Sequence, residues 1–158
     1  MAASNATKFA GTVAGVNPNT IIYRPITWKD VDAVVELFDR TWPQDGALAG
    51  TRFSLLISRY FVLHYLQPTT FANAAFAADG TLAGITLIRV AGERPQFDEL
   101  GVAGDLAVTE RMIRTNPEAS KRLDMLKNAF ALELDLERES KANETTLGEL
   151  ELFVVNPD

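Results

Sequence analysis

The 158-residue sequence predicts a mixed α/β (α+β) domain, mainly an antiparallel sheet with flanking helices. Three observations carry that expectation. Short strand-like runs stand near residue 20, on either side of Asp79-Gly80 and at the C-terminal end. Apolar residues recur at helical spacing after the first run and again between residues 92 and 146. An Asp-Gly pair between two apolar runs is among the strongest short-range hairpin signals.

The first strand is expected over Thr20–Arg24, rich in β-branched residues and stopped by Pro25. Thr27 stands where a helix N-cap belongs, with Asp30 three residues on as a form of capping box. Val31, Val34, Val35, Phe38 and Trp42 then line one face of a helix that Pro43 and Gly46 end. A second helix, about Thr51–Leu66, is apolar on most sides and is expected to be largely buried; Arg52 and Arg59 read as solvated. Phe71–Ala78 and Leu82–Val90 form the hairpin, and Gly84 marks a bulge or a close approach by another backbone.

Residues 92–146 read as a helical insertion between the third and fourth strands. It holds a short helix at Asp105–Arg114 and a longer one opening at Asn116-Pro117-Glu118, the pattern of an N-cap, a first-turn proline and a first-turn acid. Leu123, Leu126, Phe130 and Leu134 mark the buried stripe of that longer helix. The acids between Asp124 and Glu139 mark a solvated face paired with Lys121, Arg122, Lys127 and Arg138. The last strand, Leu147–Val155, turns Leu150, Leu152 and Val154 to one side and Glu149, Glu151, Phe153 and Val155 to the other. The domain organisation is a flexible leader over residues 1–19 followed by a single domain over 20–158.

Composition excludes several functions. A net charge of −6 disfavours nucleic acid, which asks for clustered Lys and Arg, and gives no sign of an anionic membrane surface as partner. The absence of cysteine removes disulfides, thiolate metal sites and a cysteine nucleophile. No apolar run is long enough to span a bilayer, and a cytoplasmic location is the default expectation. No Ser-His-Asp arrangement, Gly-rich phosphate loop or metal-ligand pattern is present.

Three segments together resemble the N-terminal half of the GNAT N-acetyltransferase fold. Tyr23-Arg24-Pro25-Ile26-Thr27 with Lys29-Asp30 is similar to its first strand and helix start. Asp79-Gly80-Thr81-Leu82-Ala83-Gly84 is similar to the hairpin between its second and third strands, and Glu149–Pro157 to its fourth strand. The resemblance covers residues 20–90 and 146–158. It departs from the family in the long insertion and in lacking the Gly-rich loop, which binds the cofactor pyrophosphate at a helix N-terminus.

The resemblance implies acetyl transfer from acetyl-CoA to a primary amine, with no metal. It places a general base at Glu149 or Glu151, and a carboxylate half-buried beside another has a raised pKa suited to that task. It places cofactor contacts at Phe153, Val154 and Val155, where a bulge in the family's fourth strand frees a main-chain N–H. It also sets Trp42, Tyr60 and His64 on the acceptor side, although aromatics and a single histidine at such positions more often serve packing. The acceptor is a small-molecule or peptide amine.

Two other readings stay open. One is a non-catalytic interaction module or half-domain that pairs through an open edge strand with a second copy or with a complementing C-terminal half. The other is an unrelated small α+β domain.

Overall fold

The structure, a computed structural model, describes residues 20–141 and 146–157; the leader expected over residues 1–19 lies outside the described residues. The chain runs β1 (Ile21–Pro25), α1 (Val31–Thr41), α2 (Arg52–Leu66), β2 (Phe71–Ala77), β3 (Leu82–Val90), α3 (Glu99–Ile113), α4 (Pro117–Ser140) and β4 (Gly148–Val155). The strands form one sheet in the order β1-β2-β3-β4, every neighbour antiparallel. No helix among the described residues is long and apolar enough to cross a membrane.

Local chemistry explains the element boundaries. At the start of α1, the Asp30 carboxylate accepts hydrogen bonds from both the Thr27 N–H (2.8 Å) and its hydroxyl (2.9 Å). The Arg24 guanidinium clamps the same carboxylate at 2.7 and 2.8 Å and holds its pKa well below the usual carboxylate range. Thr51 accepts from the Phe53 N–H and opens α2, and Asn116 accepts from the Ala119 N–H and opens α4 with Pro117 behind it. Lys141, with φ of 56°, ends α4 in the left-handed region.

One face of the sheet is covered. Val31, Val34, Val35, Leu37 and Phe38 of α1, with Val62, Leu63 and Leu66 of α2, pack on Ala72, Ala74, Ile85, Leu87 and Val154. A second cluster under α4 joins Leu48, Ile57, Tyr60, Ile113, Ala119 and Leu123. Each fully buried aliphatic side chain here contributes about 1.5–3 kcal/mol. The opposite face of the sheet carries Ile21, Tyr23, Phe71, Leu150, Phe153 and Val155, all exposed.

Four expectations need correction. α3 begins at Glu99, six residues before the expected start, because Asp98 caps it through the Gly101 N–H. Gly101 and Gly104 lower helix propensity and hide that turn from a sequence reading. Arg59 is not simply solvated: it bridges Asp32 of α1 and Asp105 of α3, each at 2.5 Å, and ties three helices together. Leu134 leaves the expected stripe of α4 and is exposed, whereas Leu123 is fully buried. α2, by contrast, is largely buried as expected, with only Arg52 and Leu55 exposed.

The fourth correction concerns β4. Its register against β3 slips at the Leu87–Ile88 step, where Leu152 faces Leu87 and Leu150 faces Ile88, so Glu151 is an extra, bulged residue. Upstream of the bulge the alternation inverts. Glu149 pairs with Arg89 on the helix-covered side, and Leu150 turns outward with Phe153 and Val155. The bulge therefore falls before the 153–155 segment where it was expected, and the two glutamates share the covered face rather than the open one.

Gly84 is a place of close approach, as its position within a strand suggested. A Cβ built there would lie 2.8 Å from the Val154 carbonyl oxygen, a backbone atom that cannot swing aside. Gly84→Ala is expected to cost about 1–3 kcal/mol of unfolding free energy. Chemical denaturation checks this, and a midpoint unchanged from the parent would contradict the tight β3–β4 packing.

Candidate functional site

Arg89 is the starting point of the site. Strand alternation puts its side chain on the covered face of β3, where a guanidinium needs counterions. Glu149 of β4 supplies a close ion pair, and Glu137 of α4 lies at 3.4 Å. The bulge adds Glu151, whose Oε1 sits 2.9 Å from Arg89 Nε.

That last contact is an ion pair without a hydrogen bond. The Glu151 side chain is only 7% exposed, and its Oε1 is buried with no aligned donor. Coulomb attraction to Arg89 therefore acts without the hydrogen bond that would stabilise the charged form. Burial prevails, helped by the like charges of Glu149, Glu137 and Glu133, and the Glu151 pKa is pushed up to about 7.

Arg89, Glu137 and Glu151 border a cavity of about 450 Å³ between α2, α4 and the end of the sheet. His64, Tyr65, Phe130, Glu133 and Glu137 form much of its wall, and Pro68, Pro95 and Glu99 complete the rim. His64 stacks flat on Phe130, with ring centroids 3.6 Å apart and planes 8° from parallel. Burial lowers the His64 pKa, so the neutral ring is favoured. The Tyr65 hydroxyl donates to Glu133 at 3.0 Å; burial first, and then that bond, raise its pKa. The pocket thus sets four carboxylates against one guanidinium, between apolar ring faces.

The expected site residues divide among five places. Glu151 and His64 border the acidic cavity, and Glu149 joins them through its ion pair with Arg89. Tyr60 is buried in the cluster under α4 with Ile113 and Leu123. Trp42 borders a separate cavity of about 700 Å³ at the end of α1. Val154 is buried in the main core, while Phe153 and Val155 wall a shallow trough of about 300 Å³ on the open face of the sheet.

The sequence reading missed Arg89, Tyr65, Glu133 and Glu137. A signal for Arg89 was available, since a lone charge within the apolar run of β3 must find a partner. Glu133 and Glu137 stand four residues apart and so share a helix face, but nothing local distinguishes an inward acidic face from a solvated one. No group of His, Asp and Glu among the described residues is placed to hold a metal ion.

Because the folded-state pKa of Glu151 lies above its unfolded value of 4.5, the native protein binds the extra proton between these values. The resulting stabilisation is fully present below pH 4.5 and is lost as pH rises through about 7. Glu151→Gln, which mimics the protonated form, is expected to gain roughly 2 kcal/mol relative to the parent between pH 5 and pH 8. Denaturation of both proteins at the two pH values checks this; a difference independent of pH would show that the folded-state pKa of Glu151 is not raised into this range. Comparison of the chain with protein-family models, curated proteins and solved structures finds no match in any of the three.

Proposed function

We propose that the chain is an N-acetyltransferase-type domain that binds a primary amine in the acidic cavity, with Glu151 as the base. The observation that carries this reading is the buried Glu151 carboxylate, without an aligned donor and poised near neutrality. An amine enters as the ammonium ion, to which the surrounding carboxylates are complementary. Transfer of one N–H proton to a Glu151 oxygen leaves a neutral amine with a free lone pair, the nucleophile that acyl transfer requires. Proximity of the base pKa to neutral pH allows Glu151 to be ionised before that step and protonated after it. Arg89 limits the charge repulsion among Glu137, Glu149 and Glu151 and orients them.

The order of strand, two helices, hairpin and final strand also fits the acetyltransferase resemblance. Acetyl-CoA would supply the activated acetyl thioester. The residues suit that molecule in part: Phe153 and Val155 offer an apolar wall to a pantetheine arm, but the sequence contains no Gly-rich loop for the pyrophosphate.

A second reading is favoured by a different observation. The apolar residues on the open face of the sheet, with Tyr23 77% exposed and Leu150 60% exposed, form the kind of surface that marks an interaction site. β4 pairs only with β3 among the described residues and presents a free edge beside that face. This arrangement fits a module that pairs with a second copy or with a complementing half.

The test of the enzymatic reading is release of free thiol from acetyl-CoA in the presence of a panel of primary amines, alongside calorimetric titration of acetyl-CoA. One-site binding and amine-dependent release are expected, with Glu151→Gln slowing release about 10²-fold or more. Absence of both binding and release would overturn this reading. Light scattering during size-exclusion chromatography tests the second reading, for which a dimer is expected and a strict monomer would be contrary.

A further inference from the structure

The cavity beside Trp42 has the opposite character to the acidic one. Its walls are largely apolar, with Phe38, Trp42, Ile57 and Leu126 among them, and no carboxylate among the described residues lines it. Its polar groups are Thr41, Gln44 and Arg122. The Thr41 hydroxyl is already spent on the Leu37 carbonyl at 2.8 Å. The Gln44 carbonyl oxygen accepts from Arg122 Nε at 2.7 Å, which leaves the Gln44 amide nitrogen and the two terminal Arg122 nitrogens with no protein partner among the described residues.

The donors are held in position. Gln44 is 9% exposed, and its backbone N–H donates to the Ser54 hydroxyl at 3.3 Å. Ser54 and Ser58 both donate to Asp39 Oδ1, at 2.6 and 2.7 Å, so the acid on this part of α1 is occupied within the helix pair. The Gln44 bond in turn fixes the plane of the Arg122 guanidinium, whose outer edge is a fork matched to a carboxylate. Along α4 and at the end of α3, Arg114, Lys121, Lys127 and Arg138 each meet an acid. Arg122 instead meets an amide.

We propose that this cavity binds a small amphiphilic carboxylate, its anionic head on Arg122 and Gln44 and its apolar tail against Trp42 and Phe38. A volume of about 700 Å³ is ample for a tail of medium length. The proposal concerns a different cavity from the amine site and stands or falls independently of it.

Trp42 reports on occupancy. The chain has two tryptophans, so Trp28→Phe leaves Trp42 as the sole indole emitter. Titration of that variant with octanoate is expected to shift its emission saturably, with octylamine binding at least about tenfold more weakly, as loss of a charge-assisted hydrogen bond requires. Octanol reports the tail alone. Arg122→Met, which keeps an apolar stem, is expected to weaken octanoate by about tenfold or more and leave octanol unchanged. Arg122→Glu, with its far-ultraviolet spectrum and melting recorded beside it, is expected to reverse the preference toward octylamine. A comparison of octanoate with 3-phenylpropionate then separates a straight-chain tail from an aromatic one. No saturable shift, equal affinity for octanoate and octylamine, or an unchanged preference in a folded Arg122→Glu variant would each overturn the proposal.

Discussion

A guanidinium on the covered face of a sheet is costly unless it is matched, and the arrangement of the C-terminal half of this protein follows from matching Arg89. Two of its counterions, Glu149 and Glu151, come from a single strand. Regular alternation would place residues 149 and 151 on one face together with Phe153, leaving Leu152 and Val154 on the other. The core needs Leu152 and Val154 inside, and Arg89 needs the glutamates inside as well. A single bulge at Glu151 satisfies both, because it inverts the alternation upstream while leaving the downstream residues in register. α4, seated by its apolar residues Ala119 and Leu123, adds Glu137 to the cluster from across the cavity.

The bulge also creates the unusual state of Glu151. An extra residue in a strand cannot be aimed as freely as a regular one, and its carboxylate approaches Arg89 side-on, within ion-pair distance and off the hydrogen-bond direction. Burial is then incompletely offset. Asp30, at the other edge of the sheet and clamped by two guanidinium bonds and two bonds from Thr27, shows the contrary outcome, with its pKa driven down. The difference between the two acids is one of alignment and burial, since each has an arginine at hand.

α4 separates two cavities of opposite sign. Its C-terminal half turns Glu133 and Glu137 toward Tyr65 and Arg89, while Arg122 in its N-terminal half turns toward Gln44 at the end of α1. Both cavities have aromatic walls, through Phe130 in one and Trp42 with Phe38 in the other. Discrimination between ligands therefore rests on the polar groups at the rim of each cavity. The net charge of −6 for the whole chain says nothing of this division, because it averages the two environments.

Local signals in the sequence determined the element order: the capping residues Thr27, Thr51 and Asn116, the Asp-Gly turn and the helical spacing of α1 all act within a few residues of themselves. Gly84 was legible too, because a glycine within a strand has few explanations. Of the site, the sequence suggested Glu149, Glu151 and His64, but it grouped them with Trp42 and Tyr60, which the fold sends to another cavity and to the core. The bulge, the salt bridges of Arg59 and the inward turn of Glu133 and Glu137 were decided by tertiary structure alone. The physical reason is common to all three: a charged side chain is satisfied by whichever opposite charge the fold brings near, and those partners lie tens of residues away, outside the reach of any local pattern.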